Sequence, residues 1–218
     1  MLFDGDSGYG NFNNVRVLTQ KLSQRGAAGV VLEDKLFPKM NSFIGEVQQL
    51  ATVPEFCGKL KAALDSRSSQ DFQIVARVEG LLFGMSMDEA LARAHRYVDV
   101  GADAVFVHSK KADASQILEF CKRWDRTAPI IICPTTYPDI AFSTYQDTGV
   151  SACICANQNL RAAVQAMTTV SQKIFAEFGL AGVERDIAPI TEIFEMLDYD
   201  ELARAENQYS WLESDQAD

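Results

Sequence analysis

Three carboxylates near the start of the chain carry the clearest chemical signal. Asp4 and Asp6 stand two residues apart in Asp-Gly-Asp-Ser-Gly, and Glu33 follows the apolar run Gly-Val-Val-Leu. Side chains at i and i+2 of an extended segment lean to one side. Carboxylates gathered at one point repel one another unless a hard cation lies among them, and Mg2+ suits such oxygen ligands. The alternative is a turn whose aspartates bond to their own backbone. Arg77 and His108 form a second pair. A guanidinium suits a phosphoryl or carboxylate group, and an imidazole can donate to the same oxygens or move a proton. The plainer reading of both is an ion pair with Glu79 or Glu33. His95, in Arg-Ala-His-Arg-Tyr, reads as a surface helix residue.

From Lys35 to Val47 runs a segment longer than an ordinary strand-to-helix turn. Within it Lys39, Asn41 and Ser42 offer a cation, an amide and a hydroxyl able to close over an anion, as lid loops do. An ordinary exposed loop is the alternative.

These residues need elements to position them. Short β-rich runs at 1–3, 29–32, 72–77, 104–108, 130–133 and 152–155 alternate with helical stretches at 13–25, 54–65, 87–100, 114–124, near 142–148, and 160–178. Gly26, Gly101 and Gly149 follow helical stretches where a left-handed cap is expected. Ser86 and Asp113 read as helix N-caps. The strands are apolar throughout, as when both faces are covered. Repeated βα units imply a parallel sheet, whose ligands bind at the C-terminal strand ends. Those ends carry Asp4-Gly5-Asp6, Glu33-Asp34-Lys35, Arg77-Val78-Glu79, His108-Ser109-Lys110, Pro134-Thr135-Thr136 and Asn157, and this convergence is what points to a site. Six strands are expected where a closed barrel needs eight and about 250 residues, so counting alone also allows an open sheet. A final helix pair spans 186–209, with Ile193, Phe194, Leu197 and Leu202 as its apolar positions.

The formal net charge of −10 argues against nucleic acid as a partner, but leaves room for a small anion beside a local cation. No apolar run approaches the roughly 18 residues of a membrane span. The opening Met-Leu-Phe-Asp-Gly-Asp is too short and acidic for a signal peptide, so a cytoplasmic protein is expected. Cysteines 57, 121, 133, 153 and 155 lack zinc-site spacing and read as buried reduced thiols, with Cys153 and Cys155 on one strand face.

Several segments resemble the isocitrate lyase superfamily, and within it the phosphoenolpyruvate phosphomutase family. Asp4-Gly5-Asp6-Ser7-Gly8-Tyr9-Gly10-Asn11 is similar to D-A-D-T-G-Y-G-N. Leu32-Glu33-Asp34-Lys35 with Pro38-Lys39-Met40-Asn41-Ser42 resembles the family's L-E-D-K…P-K-x-N-S loop, and Val75 to Glu79, Gly101 to Ala104, His108 to Lys111 and Pro134-Thr135 follow in order. The lyases carry K-K-C-G-H in that loop, where this chain has no cysteine; phosphonopyruvate hydrolase has Thr at the place of Asn41.

The resemblance implies an α/β fold, a (β/α)8 TIM-type barrel represented by strands three to eight. The first two βα units, with the backbone stretch that binds the substrate carboxylate, would precede Met1. Residues 1–209 would form one partial barrel domain, with a disordered acidic tail at 210–218. It further implies interconversion of phosphoenolpyruvate and 3-phosphonopyruvate. Mg2+ would sit at Asp4, Asp6 and Glu33, and Arg77 and His108 would hold the phosphoryl group. Asn41 would touch that group from a lid that Lys39 and Ser42 help to close. Family members form homo-oligomers with helix exchange, so residues 189–202 would dock on a neighbour. A phosphonopyruvate hydrolase, and an inactive barrel remnant with a structural role, are the alternative readings.

Overall fold

Six short parallel strands form one sheet in the order in which they occur along the chain: β1 (Leu2–Asp4), β2 (Gly29–Glu33), β3 (Gln73–Val78), β4 (Ala104–Val107), β5 (Ile130–Ile132) and β6 (Val150–Cys153). The structure is a computed structural model and describes residues 1–39, 49–125 and 128–210. Helices α1 (Phe12–Gln24), α2 (Val53–Leu64), α3 (Met87–Asp99) and α4 (Ser115–Arg123) make the crossovers. Every residue of β2, β4 and β5 is buried, as their unbroken apolar runs require. β1 and β6 end the sheet, are more exposed, and do not pair with each other among the described residues. The result is a parallel six-stranded half-barrel.

Local chemistry sets the element ends. Asn11 and Ser86 cap α1 and α3 through capping boxes with Asn14 and Glu89. Thr52 caps α2 onto the Glu55 amide. Asp113 Oδ1 accepts from Ser115 N at 2.8 Å, although Ala114 occupies the N-cap of α4 itself. Gly26, Gly101 and Gly149 take φ of 75°, 109° and 82°, the left-handed conformation expected of them. The helical stretch near 142–148 reduces to one 3-10 turn, Phe142–Tyr145. A register shift between Ile130 and Ile131 lets pairing with the last strand begin at Val150, two residues earlier than expected. Cys155 therefore lies past the strand and is exposed, and it does not share a strand face with Cys153. Cys57, Cys121 and Cys133 are buried and free, as expected.

Alternation along each strand sorts the side chains into two layers. Val30, Leu32, Ile74, Ala76, Val105, Val107 and Ile130 pack against Phe56, Leu60, Ala94, Tyr97, Ile117 and Phe120 of the helices. Val31, Val75, Phe106, Ile131 and Cys133 form the opposite layer. Glu33, Arg77 and His108 stand two residues beyond Val31, Val75 and Phe106, so alternation brings all three to that second face at the C-terminal rim. Register puts Glu33 beside Arg77, and Arg77 beside Phe106.

The chain divides into two compact units, Met1–Asn157 and Gln158–Asp218. The second holds α5 (Gln158–Glu177), α6 (Ile190–Met196) and α7 (Tyr199–Tyr209), none of which buries a residue. Phe175, Phe178, Ile190, Phe194, Leu197 and Leu202 are exposed there. The tail expected to be disordered lies, beyond Ser210, outside the described residues. Among the described residues no helix is long and apolar enough to cross a membrane.

Candidate active site

The turn from β1 into α1 is bound tightly to β2. Gly5 N donates to Val31 O and Glu33 N donates to Asp6 O, both at 2.8 Å. A Cβ on Gly5 would lie 2.7 Å from Val30 Cγ2, and one on Gly8, where φ is +88°, would lie 2.2 Å from Val15 Cγ2. Glycine is what allows this close approach. Asp4 Oδ1 accepts from Asp6 N at 3.0 Å, so the local turn anticipated as the alternative does form. The same turn nevertheless carries Asp6 to the rim: Lys39 Nζ lies 2.5 Å from Asp6 Oδ1 and 3.6 Å from Glu33 Oε1.

Glu33 is 1% exposed, and among the described residues neither of its carboxylate oxygens has a hydrogen-bond partner. Arg77 Nε, Lys39 Nζ and Lys35 Nζ stand 3.5, 3.6 and 3.8 Å away. Burial raises the Glu33 pKa, opposed by Arg77, reinforced by Glu79 and opposed by both lysines. An acceptor buried without donors is open to a cation, and Lys39 already places an ammonium between Glu33 and Asp6. The donor types thus fit a hard divalent ion. The coordination sphere itself is not formed, because among the described residues no three His, Cys, Asp or Glu side chains are gathered closely enough to hold one.

Glu79 organises the neighbouring strand ends. Fully buried, it takes Arg77 Nε on Oε1 at 2.6 Å and Lys35 Nζ on Oε2 at 2.9 Å, with His108 Nδ1 3.3 Å from Oε1. Burial opposes its charge, but the His108 bond, Arg77 and Lys35 outweigh it and hold the carboxyl well below the usual range. Arg77 Nη2 also lies 2.9 Å from His108 Nδ1, and its guanidinium stacks 4.9 Å from the centre of the Phe106 ring. Nδ1 can accept from Arg77 or donate to Glu79, and the imidazole tautomer decides which. Beneath this layer Asp34, fully buried, accepts from Glu79 N at 2.9 Å, Tyr97 Oη at 2.7 Å and Arg93 Nη1 at 3.1 Å. That carboxylate ties the ends of β2 and β3 to α3.

A family model described as phosphoenolpyruvate phosphomutase matches residues 1–175. The phosphoenolpyruvate phosphomutase of Streptomyces viridochromogenes is 49% identical over 210 residues, 96% of this chain and 67% of that protein. The chain belongs to the phosphoenolpyruvate phosphomutase family. The crystal structure of a phosphoenolpyruvate phosphomutase from Streptomyces platensis subsp. rosaceus superposes with a TM-score of 0.93 at 39% identity, covering 96% of this chain and 73% of that one. A phosphonopyruvate hydrolase in complex with oxalate and Mg2+ gives 0.89 at 33% identity, covering 95% and 72%.

Of the residues that the sequence marks out in this family member, Asp6, Glu33, Lys39, Arg77 and His108 are brought together by direct contacts, and Asp4 leads into the same turn. Asn41 and Ser42 lie outside the described residues. Thr136 Oγ1 donates to Ser109 O at 3.2 Å, joining two adjacent strand ends. His95 is half-buried, stacked 4.9 Å from Trp124 with Nε2 3.0 Å from Asp125, more enclosed than a surface residue. The sequence placed Asp34, Lys35 and Glu79 at the converging strand ends, but gave no role to Asp34 or Lys35 and treated Glu79 only as a pairing partner. The signal was present: Glu33-Asp34-Lys35 puts three charges directly after a fully apolar strand, where burial forces them to be partnered.

Proposed function

We propose that this chain is a phosphoenolpyruvate phosphomutase, an isomerase interconverting phosphoenolpyruvate and 3-phosphonopyruvate. The phosphorus–oxygen bond to the enol oxygen breaks, a phosphorus–carbon bond to C3 forms, and no atom is gained or lost. The observation that carries this reading is 49% identity to a phosphomutase across 96% of the chain, against 33% to the hydrolase structure. The six strands would correspond to the third to eighth of an eight-stranded barrel.

Asp4, Asp6 and Glu33 would hold Mg2+, the ion bound with oxalate in the hydrolase structure. The bound ion would supply positive charge beside the enolate oxygen. Arg77 and His108 hold the phosphoryl group, and Glu79 keeps both at the rim; such transfer demands mainly positioning and charge stabilisation. Lys39, now bonded to Asp6, exchanges that partner for the anionic substrate. Asn41 contacts the phosphoryl group and shields it from water, with Ser42 supporting the loop. The exposed apolar residues of α5 to α7 support docking on a second copy of the chain.

The test is incubation of the purified chain with phosphonopyruvate and Mg2+, followed by 31P NMR. Phosphoenolpyruvate as product supports the mutase. Pyruvate with inorganic phosphate would establish the hydrolase, which its similar fold keeps as the second reading. Neither product would leave a structural subunit. Asn41→Thr is expected to shift product toward inorganic phosphate.

A further inference from the structure

Helix α2 carries a lysine that a surface helix would ordinarily turn to water. Lys59 is 4% exposed, and its Nζ donates to the main-chain carbonyl of Ser7 at 3.1 Å. Among the described residues the nearest carboxylate, Glu55, stands 3.9 Å away and is itself 45% exposed. Holding an ammonium against one neutral oxygen and a distant partner is costly, and burial lowers the Lys59 pKa against the pull of Glu55. Helix packing does not call for this arrangement, since an apolar side chain would fill the same space at no electrostatic cost.

Ser7 is fully buried and directly follows Asp6. Around it the backbone is left-handed at Asp6 (φ 48°), Gly8 (88°) and Tyr9 (57°), a conformation that side-chain-bearing residues keep only when their surroundings impose it. The strand side imposes it through the bonds of Gly5 to Val31 and of Glu33 to Asp6. From the helix side, Lys59 reaches across 52 residues of sequence to hold the next carbonyl. Resting on the proposed metal reading, we propose that Lys59 is a positioning residue: it clamps the turn bearing Asp4 and Asp6, so that divalent-cation affinity depends on an ammonium buried in a neighbouring helix.

The experiment measures Mn2+, a paramagnetic stand-in for Mg2+, by electron paramagnetic resonance on the whole chain without substrate. Lys59→Met is expected to weaken Mn2+ binding by about tenfold, the scale on which outer supports of ligands act. Amides of residues 5–10 should exchange with deuterium faster, while those of β3 and the unfolding temperature stay near wild type. Lys61→Met, on the same helix but 62% exposed, serves as control and should leave both readings unchanged. Wild-type Mn2+ affinity and exchange in folded Lys59→Met would overturn the proposal. So would a uniform rise in exchange across the whole unit, which marks ordinary loss of stability. Should Lys59→Met not fold, Lys59→Arg is read by the same two criteria. If the wild-type chain itself binds no Mn2+, the metal reading fails, and the exchange measurement alone decides whether Lys59 holds the turn.

Discussion

Replacing Glu79 by glutamine removes one charge from the centre of the rim while keeping its shape. In the native chain that carboxylate faces Arg77 at 2.6 Å, Lys35 at 2.9 Å and His108 at 3.3 Å, and it is fully buried. Lys35 is also fully buried, and the Glu33 carboxylate stands 3.8 Å from it. Removing one member of a buried pair costs about 3–5 kcal/mol, because the remaining charge stays desolvated. For a chain of this size that is a fall of roughly 6–20 °C in unfolding temperature. The pH dependence is the sharper test. The Glu79 carboxyl is held below its unfolded value of about 4.3. Its contribution to stability is therefore complete above that pH and is lost as the pH falls toward the folded value. Urea unfolding of wild type and Glu79→Gln, followed by circular dichroism from pH 7 to pH 3, should show a gap that is constant down to about pH 4.5 and then narrows. Carboxylates remote from Glu79 titrate alike in both proteins and cancel in the difference, whereas Glu33 and Asp34, whose pKa values Glu79 raises, add a smaller change of their own. A gap under about 1 kcal/mol, or one that does not change with pH, would refute the assignment of Glu79 as the charge that holds Arg77 and Lys35.

Tyr97→Phe deletes the hydroxyl that donates to buried Asp34 at 2.7 Å; a loss of about 1–3 kcal/mol in urea unfolding is expected, and a neutral result would show that Arg93 and the Glu79 amide satisfy Asp34 without it. Gly8→Ala puts a Cβ 2.2 Å from Val15 Cγ2 at a φ of +88°. Left-handed strain and overpacking together should cost about 2–4 kcal/mol, read as a lowered unfolding temperature. With a thiol reagent such as 5,5′-dithiobis(2-nitrobenzoate), Cys155 should react first and Cys57, Cys121 and Cys133 only on unfolding, since they are buried and burial pushes the Cys121 thiol up to about 11. Rapid native labelling at Cys121 would contradict its place against the sheet.

The period of the chain was legible without coordinates. Apolar runs, glycines at positive φ and capping residues are local signals, and they located all six strands to within two residues. They also fixed which polar residues stand at strand ends, because a strand's direction and the residues that follow it are properties of the sequence alone. What local signals cannot rank is the choice among partners. Arg77 could have paired with Glu33 or Glu79, and the structure gives it Glu79 at 2.6 Å and Glu33 at 3.5 Å. Lys39 bonds Asp6, while Lys35 sinks wholly into the rim. Those outcomes depend on the register of neighbouring strands and on how far each strand end is closed off from water. At these spacings a difference of about 1 Å between equally charged partners decides which pair forms. The sequence by itself determined that carboxylates, a guanidinium and an imidazole would meet at one rim. Only the tertiary structure decided that Glu79 would bind Arg77 and Lys35 directly and leave Glu33 buried, 3.5 to 3.8 Å from its cations and without a hydrogen bond among the described residues.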